Sequence, residues 1–290
     1  AIALMALCSL GATAQQRLLG GDLSMLPKYE AAGTVYRDAK GKPVDALNLF
    51  RKEGWNAVRL RLFVDPDKAP AENKDEGVCQ DLNYVMGFGK RIKDEGFRLM
   101  LDFHYSDTWA DPGKQFIPSA WKGASAEALA DSVYQYTRRS LEAMKRAGAE
   151  PDLIQVGNEI SFGMLWPMAK TLPTEDANWP AFLTMLKQGC RACREICPKA
   201  QIIIHTEQAG NWSNTKAFYD RLEAARLYYD IIGLSYYPMW HERIPVLHNT
   251  LDSLARCYPD KQVMIVEAAA YYSHKNDRWA KSADEFSEFY

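Results

Sequence analysis

Short runs of apolar residues recur along the whole chain and alternate with longer stretches of mixed polarity. Leu153, Ile154 and Val156 form one such run, and residues 263–266 form another. Runs of this length between turn residues predict strands buried on both faces, as in a parallel sheet. We expect strands at residues 17–23, 56–63, 97–104, within 151–160, and at 201–205, 230–236 and 263–267.

The stretches between these strands carry helix signals. Ser125 stands at an expected N-cap, Glu127 follows in the first turn, and the pattern continues to Gly148. Asn178 is expected to cap another helix, which has Pro180 near its start. Strands and helices that alternate in this way predict parallel βα units. The other predicted helices are residues 46–53, 81–95, 214–228, 245–257 and one that opens with a capping box at 282–285.

Two folds are built from such units, an open doubly wound sheet and a closed barrel. The open sheet usually carries a glycine-rich phosphate loop after its first strand, and Gly20-Gly21-Asp22 lacks that spacing. A barrel instead collects all strand ends in one pit. We therefore predict an α/β fold, a (β/α)8 TIM barrel truncated before strand 8. The polar and aromatic residues that follow the strand ends are Arg61, His104, Asn158, Glu159, His205, Tyr236, Tyr237 and Glu267.

Composition and charge indicate the number of domains and the kinds of partner to expect. Without a linker or a composition break, residues 15–290 are expected to form one catalytic barrel domain that is incomplete at its carboxyl end. The chain has 35 basic and 37 acidic residues, a net charge of −2, so nothing predicts a nucleic-acid partner. No membrane span is expected either, and the sequence does not indicate an oligomeric state.

Residues 1–14 differ from the rest. They are mostly apolar as far as Leu10, and Ala12-Thr13-Ala14 then fits a small-residue cleavage site. We interpret them as the remnant of a signal peptide and expect a secreted or periplasmic protein.

Cysteines offer little evidence for a metal site. Cys190, Cys193 and Cys197 share one face of a predicted helix, but a fourth ligand is not evident. Buried, small apolar side chains are the preferred interpretation. The pairing of Cys79 and Cys257 stays open.

Two of the strand ends carry a glutamate, Glu159 after the fourth strand and Glu267 after the seventh. In a barrel these strands face each other, so the carboxyls can lie about 5–5.5 Å apart, which is the spacing of a retaining glycosidase. We expect Arg61 to keep the nucleophile ionised and Tyr236 to donate a hydrogen bond to it. Asn158 is placed to bind a sugar hydroxyl.

Tryptophans in the loops above the strands suit a glycan groove, because the C–H faces of sugars pack on aromatic rings. Each ring taken alone fits loop packing equally well. These residues are Trp109, Trp121, Trp166, Trp212 and Trp240.

The chain resembles the family 53 glycoside hydrolases, the arabinogalactan endo-β-1,4-galactanases. Residues 102–115, which read DFHYSDTWADPGKQ, carry the most specific part of this resemblance. Shorter matches are GDLS at 21–24, VRLR at 58–61, QVGNEI at 155–160 and GLSYYP at 233–238. The resemblance runs from about Gly21 to Tyr271.

This resemblance implies that Glu159 is the acid/base, that Glu267 is the nucleophile and that the polysaccharide substrate is β-1,4-galactan. We assign to substrate binding Arg61, Asp102, His104, Trp109, Asn158, His205, Tyr236 and Trp240. The sequence departs from the family in lacking its aromatic eighth strand and in matching only loosely at 205–211. No cofactor is expected. Some relatives bind calcium after strand 7, but residues 273–277 match such a loop weakly, so an ordinary surface loop is preferred.

Three alternatives remain open. Another clan β-glycanase, such as a mannanase or cellulase, would share the Asn-Glu pair but not the block at 102–115. A metal-dependent barrel hydrolase would need paired histidines after strand 1, where the sequence has none. A glycan-binding barrel without turnover would not need both carboxyls.

Overall fold

The computed structural model describes residues 17–172 and 177–269. The expectations for residues 1–14, 273–277 and 282–285 lie outside these ranges. Among the helices within them, none combines the length and the apolar character that crossing a bilayer requires.

The predicted TIM-barrel fold is confirmed: seven parallel strands form a nearly closed sheet with the helices around it. The strands are β1 Gly20–Asp22, β2 Ala57–Leu62, β3 Arg98–Phe103, β4 Leu153–Val156, β7 Gln201–Thr206, β8 Ile231–Tyr236 and β9 Gln262–Ala268. Two further strands, β5 Gly163–Met164 and β6 Ala169–Lys170, form an antiparallel hairpin after β4. The sheet order is β1-β2-β3-β4-β7-β8-β9.

In the described part of the chain, β1 and β9 are the edges of the sheet. They face each other across the interior, because Leu18, just before β1, packs with Met264 and Val266 of β9 against the same inner cluster. A cavity of about 80 Å³ lies between these two edges. The predicted position of strand 8 is this gap, and residues 270–290 lie outside the described ranges.

Helices follow the strands as the capping pattern predicts. Asp81 and Ser125 accept hydrogen bonds from the backbone N–H groups of Tyr84 and Ala128, which satisfies donors that a helix start leaves unpaired. The helices are α1 Leu26–Ala31, α2 Ala46–Lys52, α3 Ala71–Asp75, α4 Leu82–Asp94, α5 Ala126–Arg146, α6 Trp179–Ile196, α7 Trp212–Ala224, α8 Pro238–His241 and α9 Ile244–Cys257.

Some details of the expected elements were wrong. Asn178 precedes α6, but it adopts φ 63° and its side-chain amide donates to the Lys170 carbonyl instead of capping the helix. Helix α7 begins at Trp212, two residues earlier than expected, because Asn211 supplies the cap to Asn214. Strand β1 pairs with β2 over three residues only. The short helices α1, α3 and α8 and the β5–β6 hairpin carried no sequence signal that we recognised.

The burial predicted for the α6 cysteines is confirmed. Cys190, Cys193 and Cys197 are buried, and burial raises the pKa of the Cys190 thiol to about 12. Cys79 and Cys257 are also free thiols. Within the described ranges, no group of three or more His, Cys, Asp or Glu side chains could hold a metal ion.

A glycine lets α6 approach β4, the strand that carries the first catalytic candidate. A Cβ atom at Gly189 would lie 2.7 Å from Val156 Cγ1 and 3.2 Å from the Tyr105 hydroxyl. Both neighbours are buried, and Val156 is the last residue of β4. Because Gly189 has no side chain, α6 can pack closely against the end of β4.

Gly189→Ala should destabilise the fold, although alanine normally favours a helix by about 1 kcal/mol over glycine. Overpacking against Val156 should outweigh that gain and cost about 1–3 kcal/mol. The control is Gly87→Ala in α4, where a Cβ meets nothing within 4 Å, so this variant should be stabilised. Urea denaturation of both variants measures the effect, and equal stabilisation of the two would contradict the close-packing account.

Candidate active site

Glu159 lies in the pit at the carboxyl end of the barrel, as the strand pattern predicts. The chain leaves β4 through Gly157, which has φ 88°, and Glu159 itself has φ 49°. Positive φ is uncommon for a residue with a Cβ atom, so the surroundings must hold this turn. The next residue, Ile160, anchors it by donating its N–H to the His205 carbonyl at 3.0 Å. The Glu159 side chain is consequently aimed inward and nearly buried.

Glu267 reaches the same pit because the register of β9 shifts just before it. Leu234 of β8 pairs with Ile265, but the next residue, Ser235, pairs with Glu267, so Val266 is an extra residue in β9. Side chains alternate along a strand, and one extra residue reverses the face taken by those that follow. Glu267 therefore points into the barrel beside Ser235.

The Glu267 carboxylate contacts Arg59 and Tyr237. Its Oε1 lies 2.6 Å from the Arg59 guanidinium, and its Oε2 accepts a 2.8 Å hydrogen bond from the Tyr237 hydroxyl. Burial, the largest single influence, would raise the pKa of this carboxyl, but the charges of Arg59, His205 and Arg61 and the Tyr237 hydrogen bond together lower the pKa to about 2. Glu267 is thus an ionised carboxylate at neutral pH.

The charge of Arg61 helps to keep Glu267 ionised, as expected, but neither Arg61 nor Tyr236 is the direct partner of Glu267, and the hydrogen bond expected from Tyr236 was wrong. Arg61 instead pairs with Asp22 at 3.1 Å, and the Tyr236 hydroxyl donates to the Glu242 carbonyl at 3.0 Å. Alternation explains the tyrosines, since Ser235 faces the interior and the residue two further along, Tyr237, shares that face.

Arg59 is buried at the centre of a cluster of three carboxylates. Its guanidinium lies 2.9 Å from Asp22, 2.7 Å from Asp102 and 2.6 Å from Glu267, and it also donates to the Asn158 side-chain oxygen at 2.9 Å. The planar fork of an arginine suits several carboxylates at once. This one side chain therefore connects β1, β2, β3 and β9 with the loop after β4.

Asp102 and His104 were predicted to bind substrate; Asp102 is one of the three carboxylates of this cluster, and His104 contacts it. Asp102 is fully buried, and it contacts Arg59, the Gln155 amide and His104 Nε2, the last at 3.0 Å. His104 Nδ1 accepts the Ala110 N–H at 2.9 Å. The contacts of both side chains are thus with protein groups, and a direct role in sugar binding stays a prediction.

The surroundings of Glu159 shift its pKa in the opposite direction from that of Glu267. Burial first, and then the negative charge of Glu267, raise the pKa of Glu159 to about 8, although a 2.6 Å hydrogen bond from the Ser235 hydroxyl to its Oε1 works against this. Glu159 is therefore a carboxylic acid at neutral pH. Two nearby carboxyls with opposed pKa shifts can serve as a proton donor and a nucleophile.

A directed chain of hydrogen bonds links Glu159 to His205. Two donors lie on His205 Nδ1, the Glu159 N–H at 3.3 Å and the Gln155 amide at 3.0 Å, against one acceptor, the Asn158 side-chain oxygen at 3.1 Å. We therefore assign Nδ1 as the acceptor and place the ring proton on Nε2. Nε2 is then the donor to Ser235 Oγ at 2.8 Å, which leaves the serine proton for Glu159. Burial lowers the pKa of His205 to about 4, so the ring is neutral. His205 therefore reaches the Glu159 carboxyl through Ser235, and its predicted sugar contact stays a prediction.

Hydrogen bonds at both the oxygen and the nitrogen of the Asn158 side-chain amide fix its orientation. Its oxygen accepts from Arg59 at 2.9 Å and from Gln155 at 3.1 Å, and its amide donates to the Ala110 carbonyl at 2.8 Å. One amide hydrogen has no protein acceptor among these contacts. The sugar hydroxyl predicted for Asn158 stays a prediction that this orientation supports.

The tryptophans differ in how much surface they expose. Trp109 packs edge-on against Phe63 with ring centroids 5.2 Å apart, and the Arg61 guanidinium covers its face at 4.7 Å. Trp240 in α8 is 72% exposed. Lys170 lies over the Trp166 ring at 4.2 Å. Trp240 therefore offers the most open ring to a ligand, and sugar binding by Trp109 and Trp240 stays a prediction.

Sequence reasoning missed several residues of the site. A signal existed for two of them: Arg59 shares the inward face with Arg61, and Tyr237 follows Ser235 by two positions. The contacts of buried polar side chains across strands carry no comparable local signal. The residues whose place in the site was missed are Asp22, Arg59, Gln155, Glu207, Ser235 and Tyr237, the last of which was expected at a strand end but not as a partner of Glu267.

Comparison with known proteins gives a consistent picture. The model of the glycosyl hydrolase family 53 matches residues 18–289. An uncharacterized protein in the bgaB 5' region of Niallia circulans is 39% identical over 255 residues, and an arabinogalactan endo-beta-1,4-galactanase of Cellvibrio japonicus is 38% identical over 260. Each alignment covers 87% of this chain, which spans 67% and 65% of these relatives' own lengths. The Ignisphaera aggregans GH53 catalytic domain superposes with a TM-score of 0.81 at 32% identity, over 93% of this chain and 74% of that one.

Ser235→Ala should raise the pKa of Glu159 further, because the lost hydroxyl stabilises the ionised carboxyl. A hydrogen bond to a charged group contributes about 1.5–3 kcal/mol, so the titration should move up by on the order of one pH unit or more. Carbon-13 NMR of labelled glutamate carboxyls, assigned with Glu159→Gln, measures it.

The control for this variant is Thr250→Val, which removes a buried hydroxyl that donates to the Ala209 carbonyl, away from Glu159. It should leave the titration in place. A downward shift in Ser235→Ala, or no shift, would contradict the assigned direction of the hydrogen bond.

Proposed function

Because the chain belongs to glycosyl hydrolase family 53, we propose that this glycoside hydrolase is an endo-β-1,4-galactanase, which cleaves galactan or arabinogalactan with retention of configuration. The observation that carries the proposal is the opposed protonation of two carboxyls in one pit, Glu267 ionised beside Arg59 and Glu159 protonated beside Ser235.

In the first proposed step, the Glu267 carboxylate attacks the anomeric carbon while Glu159 gives its proton to the departing glycosidic oxygen. The attack forms a bond between Glu267 and the sugar and breaks the glycosidic bond. Arg59 and Tyr237 hold the attacking carboxylate from two sides, which fixes its orientation. Water then enters in place of the leaving sugar.

In the second step, Glu159 takes a proton from that water as the water oxygen attacks the anomeric carbon, which breaks the bond between the sugar and Glu267 and restores the Glu267 carboxylate. Once Glu267 has become an ester, its negative charge is gone, and one cause of the raised Glu159 pKa disappears with it. The Ser235 hydroxyl, already 2.6 Å from Glu159, stabilises the carboxylate that results. The same residue thus changes from acid to base without a conformational change.

The substrate is inferred from the relatives. The Cellvibrio japonicus relative is named an arabinogalactan endo-beta-1,4-galactanase, and the block at 102–115 that carries the family resemblance contacts Asn158 through Ala110 and Gln115 and the Glu159 backbone carbonyl through Gln115. A neutral polysaccharide suits the pit, because Asn158 and the open Trp240 ring offer an amide and a stacking surface. A mannanase or cellulase is the second candidate, and a panel of polysaccharides separates the three.

A glycan-binding barrel without turnover is disfavoured. Binding alone gives no reason to hold one carboxyl ionised and its neighbour protonated, since burying both groups is costly. The proposed mechanism uses no cofactor. Calcium at residues 273–277 remains a lesser proposal, and these residues lie outside the described ranges.

Export to the cell exterior or periplasm belongs to the same proposal, because a long polysaccharide has to be cut outside the cytoplasm. It is supported by the apolar residues 1–10 and by Ala12-Thr13-Ala14. Mass spectrometry of the exported protein should find an amino terminus near Gln15, whereas an intact residue 1 in the cytoplasmic fraction would contradict export.

The two carboxyls should respond differently to removal. Glu267→Ala should abolish turnover of all natural substrates, while Glu159→Ala should still cleave an aryl β-galactobioside whose leaving group needs no proton. Added azide should rescue Glu159→Ala and give a β-azide, because azide attacks the intermediate from the face that water uses. Azide with Glu267→Ala should give the α-azide.

The exposed Glu127→Ala, on the outer helix α5, is the matched control and should keep full activity. NMR of the azide products reports the anomer. An α-azide from Glu159→Ala or a β-azide from Glu267→Ala would mean that the two roles are exchanged.

A further inference from the structure

A buried glutamine, Gln115, bonds to the main chain of the acid/base candidate and has no part in the mechanism above. It is 2% exposed, and its side-chain amide donates to the Asn158 carbonyl at 2.8 Å and to the Glu159 carbonyl at 3.3 Å. The carbonyl of Asp111 lies 3.4 Å from the same nitrogen. Because all three neighbours are acceptors, the end of the amide that faces them is its NH2 group. Gln115 is therefore a hydrogen-bond donor to the turn that carries Glu159.

The Asn158 and Glu159 carbonyls belong to the two peptide planes that meet at the Glu159 Cα atom. The angles φ and ψ of Glu159 describe how these planes are rotated, and they set the direction in which its side chain leaves the backbone. Glu159 has φ 49°, a conformation that costs a residue with a Cβ atom about 1–2 kcal/mol. Such a conformation persists only where the surroundings hold it. One donor bonded to both carbonyls restrains both planes at once.

His205 holds the opposite ends of the same two planes. The Glu159 N–H of the first plane lies 3.3 Å from His205 Nδ1, and the Ile160 N–H of the second donates to the His205 carbonyl at 3.0 Å. In residues 17–172 and 177–269, no backbone N–H donates to the Asn158 or Glu159 carbonyl. Each plane is thus held at its N–H group by β7 and at its carbonyl by Gln115.

The loop after β3 presents the Gln115 side chain from a fixed backbone. Asp111 and Lys114 pair across a tight turn, with N–H to carbonyl distances of 2.8 and 3.0 Å. Asp111 Oδ1 also accepts the Lys114 N–H at 3.1 Å. After the turn, the Gln115 carbonyl accepts the Trp166 N–H at 2.7 Å. Because the backbone is held on both sides of Gln115, its amide can restrain the turn after β4.

The nucleophile candidate is held by other groups. Glu267 belongs to β9 and contacts Arg59 and Tyr237, so its position does not depend on the Gln115 amide. The Asn158 side chain likewise keeps its own hydrogen bond from Arg59. Loss of the Gln115 amide should therefore disturb proton donation by the acid and leave the attacking carboxylate in place.

We propose that Gln115 is a positioning residue for the acid/base, which keeps the Glu159 carboxyl within reach of the departing glycosidic oxygen. The inference rests on the proposed function. A general acid must lie within hydrogen-bond distance of the atom that it protonates, and a displacement of about 1 Å can cost about a hundredfold in rate. Gln115 does not touch the substrate in this role, because it acts through the main chain of Glu159.

Gln115→Met, which keeps the length of the side chain but removes the donor, should make cleavage more dependent on the leaving group. The test measures kcat/KM for aryl β-galactobiosides from dinitrophenyl to unsubstituted phenyl, at about pH 6, where Glu159 is protonated. The dinitrophenyl substrate needs no proton and should lose less than about threefold, whereas the phenyl substrate and β-1,4-galactotetraose should lose about tenfold or more. The plot of log kcat/KM against leaving-group pKa should therefore become steeper.

The slope of this plot separates positioning from stability, because a partly unfolded sample scales every rate by the same factor. The control is Gln80→Met, which removes another buried amide that donates to the Gly77 and Ser24 carbonyls at 3.2 and 3.4 Å. This variant should lose stability but keep the slope of the unmodified protein.

An unchanged slope in Gln115→Met, or an equally steeper one in Gln80→Met, overturns the assignment. If Gln115→Met yields no folded protein, Gln115→Asn decides by the same criterion, since its shorter side chain keeps the polar group but does not span both carbonyls. If the unmodified protein cleaves none of these substrates, the proposed function fails instead.

Discussion

The buried guanidinium of Arg59 links several strands at the carboxyl end of the barrel, where the candidate active site lies. Arg59 contacts Asp22 of β1, Asp102 of β3 and Glu267 of β9, and through Asn158 it reaches the loop after β4. β1 and β9 are the edges of the sheet in the described residues and do not pair there, so this side chain is a link between them. Removing a charge from such a cluster would leave others buried and unpaired, which is strongly destabilising.

The same interaction sets the chemistry. Arg59 lies against Glu267 and keeps it ionised, and the resulting negative charge helps to keep Glu159 protonated. The protonation state of each glutamate is therefore influenced by an adjacent charge, that of Arg59 for Glu267 and that of Glu267 for Glu159. The His205–Ser235 pair adds a donor to Glu159 that stabilises it after the proton has left. Fold stability and reactivity thus depend on one set of contacts.

The sequence predicted the strand order, the major helices and the two glutamates, because strand periodicity, caps such as Ser125 and strand-end polarity are local signals. It misassigned the direct partners of Glu267, because these contacts depend on the register between strands and on depth in the barrel, neither of which a short sequence pattern shows. The extra residue Val266 in β9 sets which side chains meet across β8 and β9. Arg59 and Arg61 lie on the same face of β2, and which of them contacts Glu267 depends on depth in the barrel. The alternation of side chains along the strand does not give that depth. Ser235 and Glu207 were missed because their contacts join strands that are far apart in sequence.

The central claim is that the two carboxyls carry opposite protonation states in the resting protein. Neutron diffraction from a deuterium-exchanged crystal at about neutral pD locates these protons directly. The account predicts a deuteron on the Glu159 carboxyl, one on His205 Nε2 and none on Glu267, with Arg59 and Tyr237 fully deuterated around it. A deuteron on Glu267, or a bare Glu159 carboxylate, would contradict it.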